Sequence, residues 1–550
     1  MIFNGEIYNY RELKSELEQK GDVFTSASDT EVLLSAFARW GEALFPKLNG
    51  IFAFAIWDQQ EKKLTIVRDQ IGVKPLYYNW DGTRFAFSSE MKALLELGIP
   101  RTLDVDAMNT YFRLLYVPAP QTMFTQIKKL PPGHVLTVQA GKMNIRQWWK
   151  LTEGETIPYY QDAVDGVRER ALTAVRRQLI SDRPLGVFLS GGVDSTSVLA
   201  LMRQVDGSST IKTFTVGYEH TDEAKKYNED ARLAALSAKH FGTEHHEHIM
   251  TSQDVLGCLQ DVARHMDEPV ANHVQTSTYL LAKFAKPSIT VALGGDGGDE
   301  LFGGYPRYWY AAIAERFTHL PRSVQSSVKA LLRAAGRSSI AERLNVSASL
   351  ERHLSFVAQK EDVISRILPS SINNSALMRT ALEPHFSAAW QDRVNQLMAA
   401  DLATWMPDES LVRTDKLAMA HGLEARVPLL DPDLVSYASR IPSAWKVQGR
   451  NQGKRVFMDA MHGLLPSHVL HQEKRAWMSP MSKWIRGPLQ PFVREVLSPA
   501  FGGAPADLIN FSAVQELFEE HLSKQAYHLN AIWAVVSFQL WWKEFGPTRE

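Results

Sequence analysis

Leu185-Gly186-Val187-Phe188-Leu189-Ser190-Gly191-Gly192-Val193-Asp194-Ser195 runs from an apolar stretch into a turn of glycines, hydroxyls and one carboxylate. The apolar stretch predicts a short buried strand over 185–189, and Thr196–Val205 predicts a helix directly after the turn. Glycines between a strand and a helix let backbone N–H groups face an anion, and the helix start adds unpaired donors and the positive end of its dipole. Ser190 and Ser195 add hydroxyls. Asp194 would repel a bare phosphate, so its presence implies an intervening Mg²⁺. The turn is not of the Walker type, because no Gly-Lys-Ser/Thr follows.

Outward from this turn the chain alternates. Ala163–Leu179 predicts a helix, Ile211–Val216 a strand, and Glu229–His240 a helix stopped by Gly242. Glu244–Ile249 predicts a strand, Asp254–His265 a helix and Ile289–Leu293 a strand. This rhythm predicts an α/β doubly wound parallel sheet. A second glycine- and carboxylate-rich turn, Leu293-Gly294-Gly295-Asp296-Gly297-Gly298-Asp299-Glu300-Leu301-Phe302-Gly303-Gly304-Tyr305, ends the last strand. Asp299 is placed to hold a second Mg²⁺ or phosphate contact, and Asp296 or Glu300 to take a proton from an attacking group. A Ca²⁺ loop would need Asp-x-Asn/Asp-x-Asn/Asp-Gly…Glu spacing, which is absent. Beyond Tyr305 the pattern is largely helical to the end.

Residues up to about Lys150 read differently. Ile51–Trp57, Lys63–Val67, Arg84–Phe87, His134–Val138 and Met143–Trp148 predict strands. Glu12–Gln19 and Thr30–Trp40 predict helices, so this stretch is α+β with a mostly antiparallel sheet. Polar Leu151–Tyr160, with Pro158, is the expected linker. The opening Ile2-Phe3-Asn4-Gly5-Glu6-Ile7 reads like the middle of a strand and turn, which predicts missing neighbours and exposed apolar faces around Ile51–Trp57.

The 550 residues, 45% hydrophobic, are enough for two or more domains. Lys+Arg 60 against Asp+Glu 61 argues against nucleic acid as a partner. One cysteine excludes an intrachain disulfide framework and suits a reducing cytoplasm. No apolar run is long enough to span a membrane, and the first residues do not read as a signal peptide. Cys258 lies with Val255, Leu259 and Val262 on one helical face and reads as core. His245, His246 and His248 sit in a predicted strand with no further ligands grouped nearby, and Trp148-Trp149 and Trp541-Trp542 read as packing.

The turn Ser190-Gly191-Gly192-Val193-Asp194-Ser195 resembles the pyrophosphate loop of the ATP pyrophosphatase superfamily, whose members adenylate a substrate oxygen and release pyrophosphate. The second turn resembles the asparagine synthetase version, Ser-Gly-Glu-Gly-Ser-Asp-Glu followed by Phe-Gly-Gly-Tyr, with Gly294 in place of Ser and Asp296 in place of Glu. Arg413-Thr414-Asp415-Lys416 and Gly422-Leu423-Glu424-Ala425-Arg426-Val427-Pro428-Leu429-Leu430-Asp431 resemble that family's carboxyl-terminal signature. Placed on a helix, Glu424 and Arg426 diverge and brace the fold. Gly453-Lys454-Arg455 matches the position of a lysine that neutralises phosphate charge. Lys474-Arg475-Ala476-Trp477-Met478 is a looser match. Asn4-Gly5-Glu6-Ile7-Tyr8-Asn9, Ser28-Asp29-Thr30-Glu31 and Asp69-Gln70-Ile71-Gly72-Val73-Lys74-Pro75-Leu76-Tyr77-Tyr78 resemble class II glutamine amidotransferases.

The resemblance implies an N-terminal-nucleophile-type sandwich over 1–150, truncated at its start, and an asparagine synthetase domain over 161–550. It implies ATP contacts at Leu189, Ser190, Gly191, Gly192, Asp194, Ser195, Val216, Gly294, Gly295 and Asp299, and Mg²⁺ at Asp194 and Asp299. Asp296 and Lys454 are the implied catalytic residues. Asn4 and Gly5 form the implied oxyanion hole, and Glu6 and Asp29 hold the glutamine amino group. The family's nucleophile is a cysteine upstream of the Asn-Gly-Glu motif, so the expectation for this chain is ligation with ammonia and a lost glutaminase step. Aspartate is the expected acceptor. A sugar carboxylate of a surface polysaccharide is the alternative, and a non-catalytic regulatory subunit a second. Expected partners are small molecules, with no nucleic acid, no membrane, and a homodimer left open.

Overall fold

The computed structural model describes residues 1–548 apart from 208, 220–226, 338–339, 342–343, 345–348, 388–389, 450–452 and 473–476. Lys474-Arg475-Ala476 therefore lies outside the described residues. The amino-terminal strands are β1 (Ile2–Ile7), β2 (Gly50–Asp58), β3 (Lys63–Arg68), β4 (Tyr77–Trp80), β5 (Phe85–Ser88), β6 (Lys128–Lys129), β7 (His134–Gln139) and β8 (Lys142–Gln147). They form an antiparallel five-stranded sheet, β1-β2-β3-β7-β8, and a three-stranded sheet, β5-β4-β6. The two-residue period of a strand sends Phe52, Phe54 and Ile56 toward helices Tyr10–Glu18 and Asp29–Trp40. It sends Ala53 and Ala55 toward Tyr78, Phe85 and Phe87 of the smaller sheet, which makes the expected sandwich. Apolar faces at Ile51–Trp57 are not left open. Ile51 to Ile56 are all buried, and Trp57 alone of that run is 53% exposed.

The second sheet is wholly parallel. Strands β9 (Leu185–Phe188), β10 (Lys212–Tyr218), β11 (Glu244–Met250), β12 (Val291–Leu293) and β13 (Glu424–Arg426) lie in the order β11-β10-β9-β12-β13. Val187, Val291 and Leu293 pack into one core, whereas Phe214, Val216 and Ala292 pack into another, so both faces are covered. The chain reverses its strand order between β9 and β12. Doubly wound sheets bind ligands beyond the carboxyl ends of strands at such a switch point.

Two parts of the sequence reading are corrected. Glu424 and Arg426 do not diverge on a helix. They lie on β13, paired with Val291–Leu293, where residues two apart share a face. Arg426 Nε donates to Glu424 Oε1 at 2.6 Å, and its Nη1 donates to the carbonyls of Gln178 and Ile180. Arg426 does brace the fold, but through convergence. The stretch Met91–Ile127 also departs from the sheet-rich reading. Helix Val105–Leu114, capped by Asp104 accepting from Ala107 N, packs on the carboxyl-terminal helix Leu529–Phe545. Tyr111 Oη donates to Ala534 O at 2.8 Å, and Phe112 meets Phe538 edge-on.

The loop after β3 fixes how the two sheets meet. Asp69 accepts backbone N–H bonds from Phe52, Ile71, Gly72, Val73 and Lys74. Arg68 closes the same loop by donating to the carbonyls of Gly72, Lys74 and Leu130. Held this way, Lys74 reaches Asp415 at 2.7 Å, with both side chains buried. Burial lowers the Lys74 ammonium, and the Asp415 carboxylate more than offsets that, so it stays above the ordinary lysine value. Next to it Lys416 pairs with Asp267 at 2.5 Å and lies over the Tyr77 ring. Lys129 pairs with Glu268 and stands 3.7 Å from Asp408.

Removing one partner of a buried pair strands the other charge. Lys74→Ala is expected to cost about 3–5 kcal/mol in urea unfolding, and Lys74→Met with Asp415→Leu to recover most of it. A loss in Lys74→Ala below about 1 kcal/mol would show that the pair does not hold the sheets together.

Candidate active site

Strand β9 delivers the Ser190–Ser195 turn to the switch point. The turn is closed by Ser195 Oγ, which lies 3.0 Å from Ser190 Oγ and accepts from Ser190 N at 3.2 Å. Helix Val193–Val205 starts there with Gly192 as its cap. Gly191 (φ +70°) turns away from the cleft, and a Cβ on it would stand 2.5 Å from Ala234 N. Leu189 and Val216, both buried, lie on the wall of the cleft beside the turn.

Strand β12 delivers the second turn. Gly294 N donates to Arg426 O at 2.8 Å, which ties the turn to β13. The two turns interlock. A Cβ on Gly298 would stand 2.2 Å from Asp194 Oδ1, so only glycine lets Asp194 nest there. A Cβ on Gly294 would stand 2.7 Å from Asp296 Oδ2, so Gly294 leaves the room that the Asp296 carboxylate occupies.

Lys454 joins both turns. Its Nζ lies 2.5 Å from Asp194 Oδ2 and 2.6 Å from Asp299 Oδ1. A Cβ on Gly304 would collide with Asp299 Oδ1 and Lys454 Cε, so Gly304 makes the approach possible. Lys454 itself has φ +64°, a strained conformation for a side-chain-bearing residue, held by its N–H on Phe302 O. Burial lowers the Lys454 ammonium, but Asp194 and Asp299 together outweigh it and hold it well above the ordinary lysine value. Asp194 and Asp299 are hard oxygen donors. Mg²⁺ is typically held by one or two carboxylates plus substrate phosphates, so the donor set fits.

These groups open into a cleft of about 1500 Å³. Asp296 and Glu300 line it. Burial raises the Asp296 carboxyl above its ordinary value, with Arg413 opposing. Burial and then Asp299 push Glu300 up to about 8, and Tyr305 Oη donates to its Oε1 at 2.8 Å. The sequence reading missed a further wall. Asn272, His273 and Thr278 come from the start of helix Gln275–Ala285 and the turn before it. Glu409, Ser410 and Arg413 come from the π-helical turn Met406–Leu411 and the helix that follows. The signal available was Asp408-Glu409 amid apolar residues, but nothing local aims it at β9.

At the other sheet, Asn4, Gly5 and Glu6 lie on β1, and Asp29 starts the helix packed beside it. Asp29 Oδ2 accepts from Ile7 N at 3.0 Å, and Asn4 Nδ2 donates to Ser89 Oγ at 3.1 Å. Gly5 (φ +139°) crosses close to Ile51 O. Glu6 Oε1 stands 3.8 Å from Arg426. Burial and then Glu424 push Glu6 up to about 7 despite that arginine. The sole cysteine is not near. Cys258 is buried on helix Ser252–Met266, donates to Val255 O, and burial pushes its thiol up to about 12.

The three histidines of β11 and the carboxyl-terminal tryptophans have structural partners. His245 bonds Thr213, His246 bonds Glu244, and His248 stacks on Phe284. Trp541 Nε1 donates to Asp267 O at 2.8 Å. Among the described residues no group of three or more His, Cys, Asp or Glu is set to hold a metal, and no helix is long and apolar enough to cross a membrane.

The family described as asparagine synthase matches residues 166–543, and the glutamine amidotransferase domain matches residues 1–149. The glutamine-hydrolysing asparagine synthetase 1 of Bacillus subtilis is 31% identical over 98% of this chain and 85% of its own length. Asparagine synthetase 3 of the same organism is 32% identical over 86% of this chain and 74% of its own. The glutamine-hydrolysing asparagine synthetase of Zea mays is 26% identical over 96% of this chain and 73% of its own. Among solved structures, the glutamine phosphoribosylpyrophosphate amidotransferase of B. subtilis covers 46% of this chain and 60% of its own at 14% identity, with a TM-score of 0.21. The profile and the full-length relatives give one answer: the chain belongs to the asparagine synthase family, with a glutamine amidotransferase domain ahead of the synthase domain.

Proposed function

We propose that this asparagine synthase-like ligase converts aspartate, ATP and glutamine or ammonia to asparagine, AMP and pyrophosphate, with residues 1–150 as the nitrogen-donor half and 161–550 as the ATP half. The observation that carries the reading is the Lys454–Asp194–Asp299 cluster at a switch point. ATP would lie with its adenine and ribose against Leu189 and Val216 and its phosphates over Ser190, Gly192 and Ser195. Gly294 and Gly295 approach the nucleotide from the second turn. The substrate carboxylate oxygen attacks the α-phosphorus, the bond to the β-phosphate oxygen breaks, and pyrophosphate leaves. Lys454 offsets the charge that develops on that leaving group. Mg²⁺, held by Asp194 and Asp299, would add charge neutralisation at the same place. Ammonia then attacks the acyl carbon, AMP leaves, and Asp296 takes the proton from nitrogen.

Glu300 is the poorer base. Its folded value of about 8 keeps it protonated at neutral pH, bonded to Tyr305. On the glutamine side, Asn4 and Gly5 would serve as oxyanion donors and Glu6 and Asp29 as the amino-group anchor. A glutaminase step needs a thiol at that pocket, and Cys258 supplies none.

Lys454→Ala is expected to lower kcat about a hundredfold, the scale of one lost preorganised charge of roughly 3 kcal/mol. A change confined to the KM for ATP would make Lys454 a ground-state contact instead. Asp194→Ala is expected to abolish ATP–pyrophosphate exchange in a folded protein. Supplied with aspartate, ATP and Mg²⁺, these 550 residues are expected to take label from ammonium into asparagine and none from amide-labelled glutamine; label from glutamine would overturn the assignment of the thiol. A pH series tests Glu300. The carboxyl binds its proton more tightly folded (about 8) than unfolded (4.5). Its contribution to stability is complete below the lower value and is lost as pH rises through the upper one. Glu300→Gln should therefore flatten the fall in stability over that window, and an unchanged slope would show that Glu300 is ionised in the folded chain.

A further inference from the structure

The wall of the cleft facing Asp296 carries a paired anion and cation that the adenylation chemistry does not use. Glu409 is only 3% exposed, yet it lines the cleft. Its Oε1 accepts from Asn272 Nδ2 at 2.7 Å and from Arg413 Nε at 3.3 Å. Its Oε2 has no hydrogen-bond partner among the described residues. A buried carboxylate oxygen without a donor is costly unless something else supplies the hydrogen bond. Arg413 sits one helical turn on, with Nη1 on Thr278 Oγ1 at 3.2 Å and Nη2 on Ser410 Oγ at 3.4 Å. Its Nε is taken by the ion pair with Glu409, and two of its five N–H groups have no partner among the described residues. The turn that presents Glu409 is π-helical, a local widening often found at functional sites. Asp296, Glu409 and Arg413 all line the one cleft.

We infer that Glu409 and Arg413 are the specificity-determining pair for the acceptor, Glu409 Oε2 receiving the α-ammonium and Arg413 the α-carboxylate of a free amino acid, so that its distal carboxylate points at the reaction centre. This inference rests on the ligase reading above and restricts its acceptor to a zwitterion. A site built around buried charges rejects an analogue that leaves one unpaired, by factors of roughly 10⁴. Succinate lacks the ammonium of aspartate, and β-alanine lacks its α-carboxylate. Glucuronate lacks the zwitterion altogether.

The test is pyrophosphate release by the full chain with each of these four acids, together with Glu409→Gln and Arg413→Met. For the wild type, kcat/KM with L-aspartate is expected to exceed that with each of the other three by at least about a thousandfold. Glu409→Gln is expected to shrink the aspartate-to-succinate ratio at least tenfold, through KM for aspartate, and Arg413→Met the aspartate-to-β-alanine ratio. A purely structural role would lower all acceptors together and leave the ratios fixed, which overturns the inference. The wild-type panel decides independently of whether either variant folds. Succinate or glucuronate working as well as aspartate refutes the zwitterion site while the ligase stands. No pyrophosphate from any of the four refutes the ligase reading itself.

Discussion

Two carboxylates at the ends of adjacent strands repel each other, and one buried ammonium resolves that repulsion. Lys454 stands within 2.6 Å of both Asp194 and Asp299, and the local backbone is arranged so that it can. Gly298 makes room for Asp194, and Gly304 makes room for the Asp299–Lys454 contact. Lys454 accepts a left-handed backbone to reach inward. The turn after β9 supplies one carboxylate, the turn after β12 the other, and a helix start far along the chain the cation. The order of the sheet then follows, because β9 and β12 must be neighbours for the three to meet.

A second constraint runs through residues 406–419. One side of this segment, Glu409, Ser410 and Arg413, faces the cleft. Another side, Asp408, Asp415 and Lys416, meets Lys129, Lys74 and Tyr77 from the amino-terminal sheets. β13 plays a similar part. The carbonyl of Arg426 holds Gly294 in the turn after β12, while its guanidinium reaches toward Glu6 on β1. The cleft and the amino-terminal sheet thus share elements rather than merely touching.

What could be read in the sequence was what is local. The turns Ser190–Ser195 and Gly294–Asp299 announce themselves because glycines, carboxylates and a preceding apolar run occupy a dozen consecutive residues. Most strands of the two five-stranded sheets followed from period and turn residues for the same reason, whereas β4 and the two-residue β6 went unread. Strand β13 did not follow, because three residues around an alanine carry no period, and only the edge of β12 makes them a strand. Helix Val105–Leu114 was overlooked between strand runs, although Asp104 is an ordinary cap. The Lys74–Asp415 pair spans 341 positions, and Glu409 meets Asn272 across 137, so no window contains either. Asp296 and Lys454 stand out locally by residue type, and their surroundings are legible only in three dimensions.

The buried ion pairs at the sheet junction bear on how such a chain can change over generations. Lys74 and Lys129 lie on the amino-terminal side, and Asp415, Asp408 and Glu268 on the other. A gene exchange that replaced one side alone would bring foreign residues opposite these charges and leave several of them stranded. Shuffling with a distant relative would succeed only where both partners of each pair travel together or mutate in concert. The junction therefore acts as a lock on inheritance, and it favours lineages in which the nitrogen-handling and nucleotide-handling parts diverge as one unit.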